Sequence, residues 1–440
     1  MGACGRRARR HRRRFAAKAA RRARDAKESR RGLAALLKGT TPAEFFASDW
    51  ERRPRLLRGA CDEAALRRLP RWREVFGLAA EGAEASNVAQ ALCFKDGEPT
   101  AAYASPAHAW LDACSVIINR LDAIHEGARR LSASLRSHLP HAYCQLYATP
   151  PDAFAVDAHA DDRDVFVVQL EGSKAWTVYG SPPVSRPNPD EQAGKCFALD
   201  VDYEKTMPRA VEATLKRGDV MYVPRGFVHE ARCTSEASLH ATVAAATYDW
   251  TWAKVCGAAA GAPPAAATAV EKGARGRGRD WRACAAPALV CDGFGEEARR
   301  AARGAAARFA EDAAAVGLGG GGVMTAERIA DALRKRVAPH RSNQDEPVGA
   351  FPAALDSRAS PAYVRRPRPG EAVAVADGGG GLVLRESLEA VLPPLLLEVT
   401  TAPFRVGDWK ALDPLGRAAL AEVAVALGIV LPCDAGGAAL

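Results

Sequence analysis

HADDRDVFVVQLEGSKAW, residues 159–176, is the stretch on which the reading of this chain turns. Its centre, Asp164 to Leu170, is rich in β-branched and aromatic residues and predicts a strand closed by the turn signal Glu171-Gly172. A second strand is expected from Ala175 to Tyr179. Just upstream, His159 and Asp161 are two positions apart. Alternate residues of an extended chain project to one side, so both can reach one ion while Ala160 points away and Asp162 faces wrongly. Downstream, PRGFVH ends in His229. Two imidazoles and one carboxylate form the facial triad that holds a non-haem Fe(II) by one face and leaves the other open for cosubstrate and oxygen. Lys174 follows the first ligand by fifteen positions. A hairpin there would fold its ammonium back over the metal pocket, where it can pair with a carboxylate.

Further along, Ala213 to Val223 alternates loosely around the turn Lys216-Arg217-Gly218-Asp219, and the corner Pro224-Arg225-Gly226 presents His229. Short strands joined by tight turns point to a jelly roll. Each signal also has an ordinary explanation. An isolated HxD arises by chance, Lys174 alone is a solvated strand-end lysine, and Tyr147 reads equally as a packed aromatic with its hydroxyl on the backbone. The register of HxD, Lys174 and PRGFVH decides for a site. His240, in SLHATVAA, reads as a satisfied core histidine, and His108 and His141 have no supporting neighbours. Cys144 and Cys233 are expected near the pocket.

With these residues in hand, the chain resembles the JmjC oxygenases of the ribosomal oxygenase group. HADDRDVFVVQLEGSKAW is similar to their HxDDxxVFxLQLEGxKxW, and GDVMYVPRGFVH to their GDxxYxPRGxxH. Upstream, Phe45, Phe46, Trp50, Glu51 and Pro54 resemble an FFxxxWExxPLL signature, and Tyr147 to Pro151 a YxTPP segment, so the similarity covers roughly residues 41 to 250. The resemblance implies a mainly β catalytic core, the JmjC/cupin double-stranded β-helix, with flanking helices. It implies that His159, Asp161 and His229 bind Fe(II), that Lys174 binds the distal carboxylate of 2-oxoglutarate, that O2 is the second cosubstrate, and that Tyr147 lines the substrate pocket. Gln145 stands where the family usually has an Asn that contacts substrate, and the extra methylene changes which side chain is presented to the metal. Ala160, where Tyr is common, is expected to loosen one pocket wall. A Lys at position 174 is typical of the eukaryotic-type branch acting on histidines of ribosomal proteins. Histone lysine demethylation, and a non-catalytic nucleolar binding module, are the alternatives the resemblance leaves open.

The chain has 440 residues, 48% of them hydrophobic, which is too long for a single barrel. Four segments are expected: a basic tail at 1–31, the oxygenase domain at 32–252, a helical, low-complexity dimerisation segment at 253–342, and a winged-helix-like domain at 343–440. GAAAGAPPAAATA and GLGGGG read as linkers around helices at Glu296 to Ala314 and Ala326 to Val337. Near the end, Asp413 can cap a helix begun by Pro414 and stopped by Gly428. Residues 395–434 carry a net charge of −2, which argues against nucleic-acid binding there. The net charge of +9 comes from the tail, which carries +12 by itself, while the remainder sums to −3. Such a tail reads as a nuclear or nucleolar address or a ribosomal-RNA anchor, with an organelle transit peptide as the rival. Eleven scattered cysteines without a CxxC pair argue against zinc modules and fit a reducing compartment. No apolar run is long enough to cross a membrane. A homodimer is expected from the resemblance alone.

Overall fold

The computed structural model describes residues 32–440 apart from 85–88, 102, 104, 137, 274–278, 291–294, 318–323, 346–360, 370 and 372–391. The basic tail therefore lies outside the described residues. The mainly β core is present as a sheet in the order β1-β8-β6-β10-β5-β4-β2-β3, with β7 and β9 also paired to β6. In chain order these strands are β1 (Arg55–Leu57), β2 (Gln90–Lys95), β3 (Glu98–Thr100), β4 (Ser115–Asn119), β5 (Ala142–Thr149), β6 (Asp164–Tyr179), β7 (Arg209–Lys216), β8 (Val220–Val223), β9 (His229–Arg232) and β10 (Ser238–Ala245).

One expectation is corrected at once. Glu171-Gly172 does not turn the chain, and β6 runs unbroken for 16 residues. Its first half pairs with β8 and β10, and its second half with β7 and β9, so one strand serves both faces of the barrel. The change of partners falls at an irregularity opposite Leu239/His240. Gly172 sits there at φ +64°, and a Cβ on it would lie 1.8 Å from the Ala237 carbonyl oxygen, so the position admits only glycine. Lys174 reaches the pocket along this bent strand, not through a hairpin.

The run DVFVVQL is apolar on both sides because the strand is buried on both sides. Phe166, Val168 and Leu170 join the large core beneath the helices, while Val165 and Val167 join Trp176, Met221 and Phe227 inside the barrel. The FFxxxWE segment closes one end of that core. Its helix, Pro42–Ser48, starts with a capping box between Thr41 and Glu44. Phe45 meets the Tyr222 ring at 4.9 Å and Trp50 stacks on it at 5.7 Å.

Beyond the barrel, GAAAGAPPAAATA is not a linker. All but Gly261, Ala262 and Pro263 of it lies in two helices, Trp252–Ala260 and Pro264–Gly273. Alanine has the best helix propensity and Pro264 takes the first helical position, so the low-complexity run is helix-competent. Helices Glu296–Ala315 and Ala326–Asp345 follow, and the Ala302, Ala305, Ala306 and Phe309 stripe packs into the same core. GLGGGG falls mostly outside the described residues. The described part of the C-terminal segment holds β11 (Tyr363–Arg365), β12 (Phe404–Arg405) and β13 (Leu431–Cys433) in the order β12-β11-β13. It also holds the helix Pro414–Ala426, capped by Asp413 through the Leu415 and Gly416 amides. The winged-helix expectation rests in part on residues outside the described set. Among the described residues no helix is long and apolar enough to cross a membrane.

Candidate metal and cosubstrate site

His159 is not within a named strand. It is held beside β9 by two hydrogen bonds exchanged with His229, His159 N–H to the His229 carbonyl at 3.1 Å and the reverse at 2.9 Å. The corner before His229 fixes the third residue, because the Gly226 N–H donates to the Asp161 carbonyl at 2.8 Å. Gly226 has φ +86°, and a Cβ there would approach the Val184 carbonyl oxygen to 2.5 Å. Its neighbour Arg225 points the other way and pairs with buried Glu51, Nη2 to Oε1 at 2.6 Å. Glu51 Oε2 in turn accepts from the Cys284 amide at 2.9 Å. PRGFVH is thus anchored at one end by an ion pair and presents a ligand at the other.

The structure brings one atom each of His159, Asp161 and His229 within 4.8 Å of one another. The Nδ1 atoms of the imidazoles meet backbone carbonyls, His159 that of Asp157 at 2.6 Å and His229 that of Phe227 at 3.0 Å. Donation at Nδ1 leaves the Nε2 lone pair free for an ion. Burial, and then the nearby cations, hold His159 down to about 3, and burial likewise lowers His229, so both rings are neutral and able to ligate. Burial raises Asp161, but the Lys195 ammonium outweighs it and holds the carboxyl well below the usual range. Lys195 Nζ lies 2.6 Å from Asp161 Oδ1.

The three residues line a cavity of about 330 Å³ together with Lys174, Gln145 and Tyr147. Lys174 is 2% exposed, and its Nζ donates to Thr149 Oγ1 at 3.0 Å. Burial pushes its ammonium down to about 8. Among the described residues no carboxylate lies within ion-pair distance of it. A buried cation with one neutral partner is under-satisfied, and an anion entering the cavity would complete it. Gln145 Nε2 donates to Asn119 Oδ1 at 2.8 Å, and the Tyr147 hydroxyl approaches Gln145 Oε1 at 3.4 Å.

Three expectations change. His240 is not a satisfied core residue: it lines the cavity, stacks on Tyr147 at 4.8 Å, and its buried Nδ1 has no hydrogen-bond partner among the described residues. Ala160 does not wall the pocket, because it packs with Tyr179, Ala193 and Val228 on the other side of the ligand segment. Cys144 belongs to the outer core and does not line the cavity, whereas Cys233 does lie near the pocket, its Sγ donating to the Thr149 carbonyl at 3.5 Å beside Lys174. Sequence reasoning also missed Thr149, Asn119 and Lys195. Thr149 was findable, since 145, 147 and 149 alternate on β5 and share a face. Lys195 comes from a loop, where no periodicity marks it.

A barrel that gathers two histidines and an aspartate beside a buried lysine defines a class, and residues 118–253 match the family model for the JmjC domain. Within that class the chain is similar to ribosomal oxygenases. It is 30% identical over 223 residues to Ribosomal oxygenase 1 of Bos taurus, covering 47% of this chain and 32% of that protein. It is 31% identical over 137 residues to the bifunctional lysine-specific demethylase and histidyl-hydroxylase NO66 of Drosophila grimshawi, covering 30% and 18%. Among solved structures, the Escherichia coli ribosomal oxygenase YcfD aligns with a TM-score of 0.34 at 20% identity, over 47% of this chain and 51% of that one. The matched stretches span a third or less of the curated relatives' length.

Proposed function

We propose that the protein is an Fe(II)- and 2-oxoglutarate-dependent dioxygenase that hydroxylates a protein side chain, with histidine of a ribosomal protein as the target. The observation that carries this is the pairing of a neutral-imidazole triad with a buried ammonium that lacks a carboxylate, in one cavity. The donor set fits Fe(II): two Nε2 lone pairs and one ionised carboxylate, with the rest of the cavity open. Lys174 and Thr149 fit the distal carboxylate of a 2-oxo diacid. They fix its orientation at one end, so that its other end is directed toward the triad. Bound there, iron with 2-oxoglutarate and O2 supplies the oxidising power to insert one oxygen atom into a C–H bond.

The chain's own residues supply geometry and exclude water. The backbone bonds at Nδ1 hold each imidazole in one tautomer, and Val165, Val167 and Trp176 form the dry wall. Gln145, held by Asn119 and beside Tyr147, offers an amide edge to the side chain being oxidised. The similarity to ribosomal oxygenases supports a ribosomal protein as substrate. The reading extends to a nuclear or nucleolar site of action, to ribosomal-RNA contact through residues 1–31, and to a homodimer, and these rest on the composition of the tail and on the resemblance.

The test is mass spectrometry of histidine-containing ribosomal peptides incubated with the full chain, Fe(II), ascorbate and 2-oxoglutarate. A gain of ~16 Da, one inserted oxygen atom, in the wild type and not in Asp161→Ala is expected. Absence of both peptide oxidation and 2-oxoglutarate consumption would overturn the reading.

A further inference from the structure

A second cavity, of about 590 Å³, lies beside the first and shares Val156, Glu230 and Ala231 with it. Ala175 and Thr177 contribute to it from the face of β6 opposite to Lys174 and Trp176. The shared rim is β9, immediately after the ligand His229. β9 pairs along one edge with β6. Along its other edge His229 exchanges two hydrogen bonds with His159, and the Cys233 N–H donates to the Ala153 carbonyl at 2.9 Å. Backbone groups of an antiparallel strand alternate in direction, so the N–H and C=O of Ala231 point the same way as those of His229. Among the described residues no backbone group pairs with them from that side. A donor and an acceptor stand unclaimed at the opening between the two cavities, two residues from the metal ligand.

Charge at this rim is acidic. Glu230 lines both cavities, its Oε1 accepting from the Tyr179 hydroxyl at 2.7 Å and its Oε2 lying 3.4 Å from the Tyr203 hydroxyl. Carboxylate oxygens have further lone pairs, so both retain capacity. Asp157 adds a second acid to the outer cavity. Among the described lining residues the base is Arg232, whose guanidinium lies 4.3 Å from the Phe154 ring centre and donates to the Asp152 carbonyl at 3.3 Å, at the Phe154 side of the cavity.

We infer that the outer cavity holds an extended polypeptide flanking the oxidised residue, gripped through the backbone of Ala231 and selected for a basic side chain by Glu230. This rests on the oxygenase reading and narrows its substrate to basic, extended segments. Backbone pairing to a strand edge supplies affinity, and the neighbouring side-chain pocket supplies the choice of residue.

The experiment uses the full chain with Mn(II) and N-oxalylglycine, which mimics the cosubstrate without turnover. Labelled nine-residue peptides with a central histidine carry Arg, Gln or Glu at each flanking position in turn, and binding is read by fluorescence anisotropy. At one position Arg should bind about tenfold tighter than Gln, the scale of a charge-assisted hydrogen bond. Glu230→Gln should erase that preference and Glu230→Lys reverse it toward Glu. Ala231→Pro, which removes an N–H the ladder does not use, should weaken all peptides several-fold with Mn(II) affinity unchanged. Equal affinity for Arg, Gln and Glu at every position, survival of the preference in Glu230→Gln, or no peptide binding while Mn(II) and N-oxalylglycine still bind would each overturn the inference and leave the oxygenase reading standing. Failure of Mn(II) and N-oxalylglycine to bind would remove that reading, and the inference with it.

Discussion

Arg225 and His229 are four residues apart in one motif, yet the charged clusters they join are built to opposite rules. Around Arg225, Glu51 and the Cys284 amide complete one another, and Asp164 is bonded by the Tyr222 and Thr247 hydroxyls. Burial and the Glu51 carboxylate push Asp164 up to about 7, while Glu51 is shared between Arg225 and Arg186, whose Nε lies 3.3 Å from Oε2. Around His229 the groups are less buried and incomplete: the His159 and Asp161 side chains are 13% and 18% exposed, two imidazole Nε2 atoms face a carboxylate, and Lys174 donates to one neutral partner. Pairing of opposite charges makes the first cluster a brace, although Arg225 Nη1 has no hydrogen-bond partner among the described residues, and the unpaired charge of Lys174 makes the second a site.

Breaking each cluster should therefore have different symptoms. The largest effect on chemistry is expected from Asp161→Ala, with turnover abolished and Mn(II) affinity down by more than ~100-fold, beyond what loss of an outer-shell partner causes. Its unfolding midpoint should stay near that of the wild type, because Lys195 is part exposed and can relax into solvent. Arg225→Met should do the reverse. Removing the fully buried cation beside Glu51 and Asp164, with Arg186 Nε left at 3.3 Å from Glu51, costs about 3–5 kcal/mol in urea denaturation, while any protein that remains folded keeps the triad. A loss under about 1 kcal/mol would mean that the brace is not one.

Much of the contrast was legible in the letters. HxD, Lys174 and His229 are tied to period-two geometry and could be placed on one pocket before any fold was known. What was not legible depended on partners distant in sequence. The alternation on β5 marks Thr149 as facing the pocket, but nothing in sequence pairs it with Lys174 from β6, and Lys195 arrives from a loop. His240 was misread because an imidazole on an apolar strand looks the same whether its nitrogen is paired or not. Glu171-Gly172 was read as a turn because glycine marks both turns and bulges, and only the β10 partner tells them apart. The Ala-rich run after Trp252 was read as linker because low complexity hides helices whose buried faces are simply alanine.

Next in size is Lys174→Met, for which N-oxalylglycine affinity should fall ~100-fold, in the range for removing one partner of a buried charge pair, with Mn(II) affinity retained. Its folding stability should hold or rise, since a desolvated ammonium is removed. The wild type offers the same contrast through pH. Burial lowers the Lys174 ammonium to about 8 from 10.5, so between these values the unfolded chain binds more protons and this residue makes folding stability rise with pH. Under the proposed role of Lys174, N-oxalylglycine affinity should fall above pH 8 by up to about tenfold per unit. Parallel titrations of urea midpoint and N-oxalylglycine affinity should diverge. A common direction would remove Lys174 from the site.

The smallest effect is the most discriminating. Thr149→Val keeps the shape and deletes the Oγ1 to which Lys174 donates. Loss of one neutral hydrogen bond is worth about 1 kcal/mol, so N-oxalylglycine affinity should drop several-fold, well short of the lysine variant. The pH at which affinity breaks should also move below 8, because an acceptor that favours the charged form is gone. A weakened affinity with an unmoved break would show Thr149 touching the diacid without tuning the lysine, and an unchanged affinity with a moved break would show the converse. Only movement of both makes Thr149 and Lys174 one anion-binding unit, poised by burial in the way that the Arg225 cluster is not.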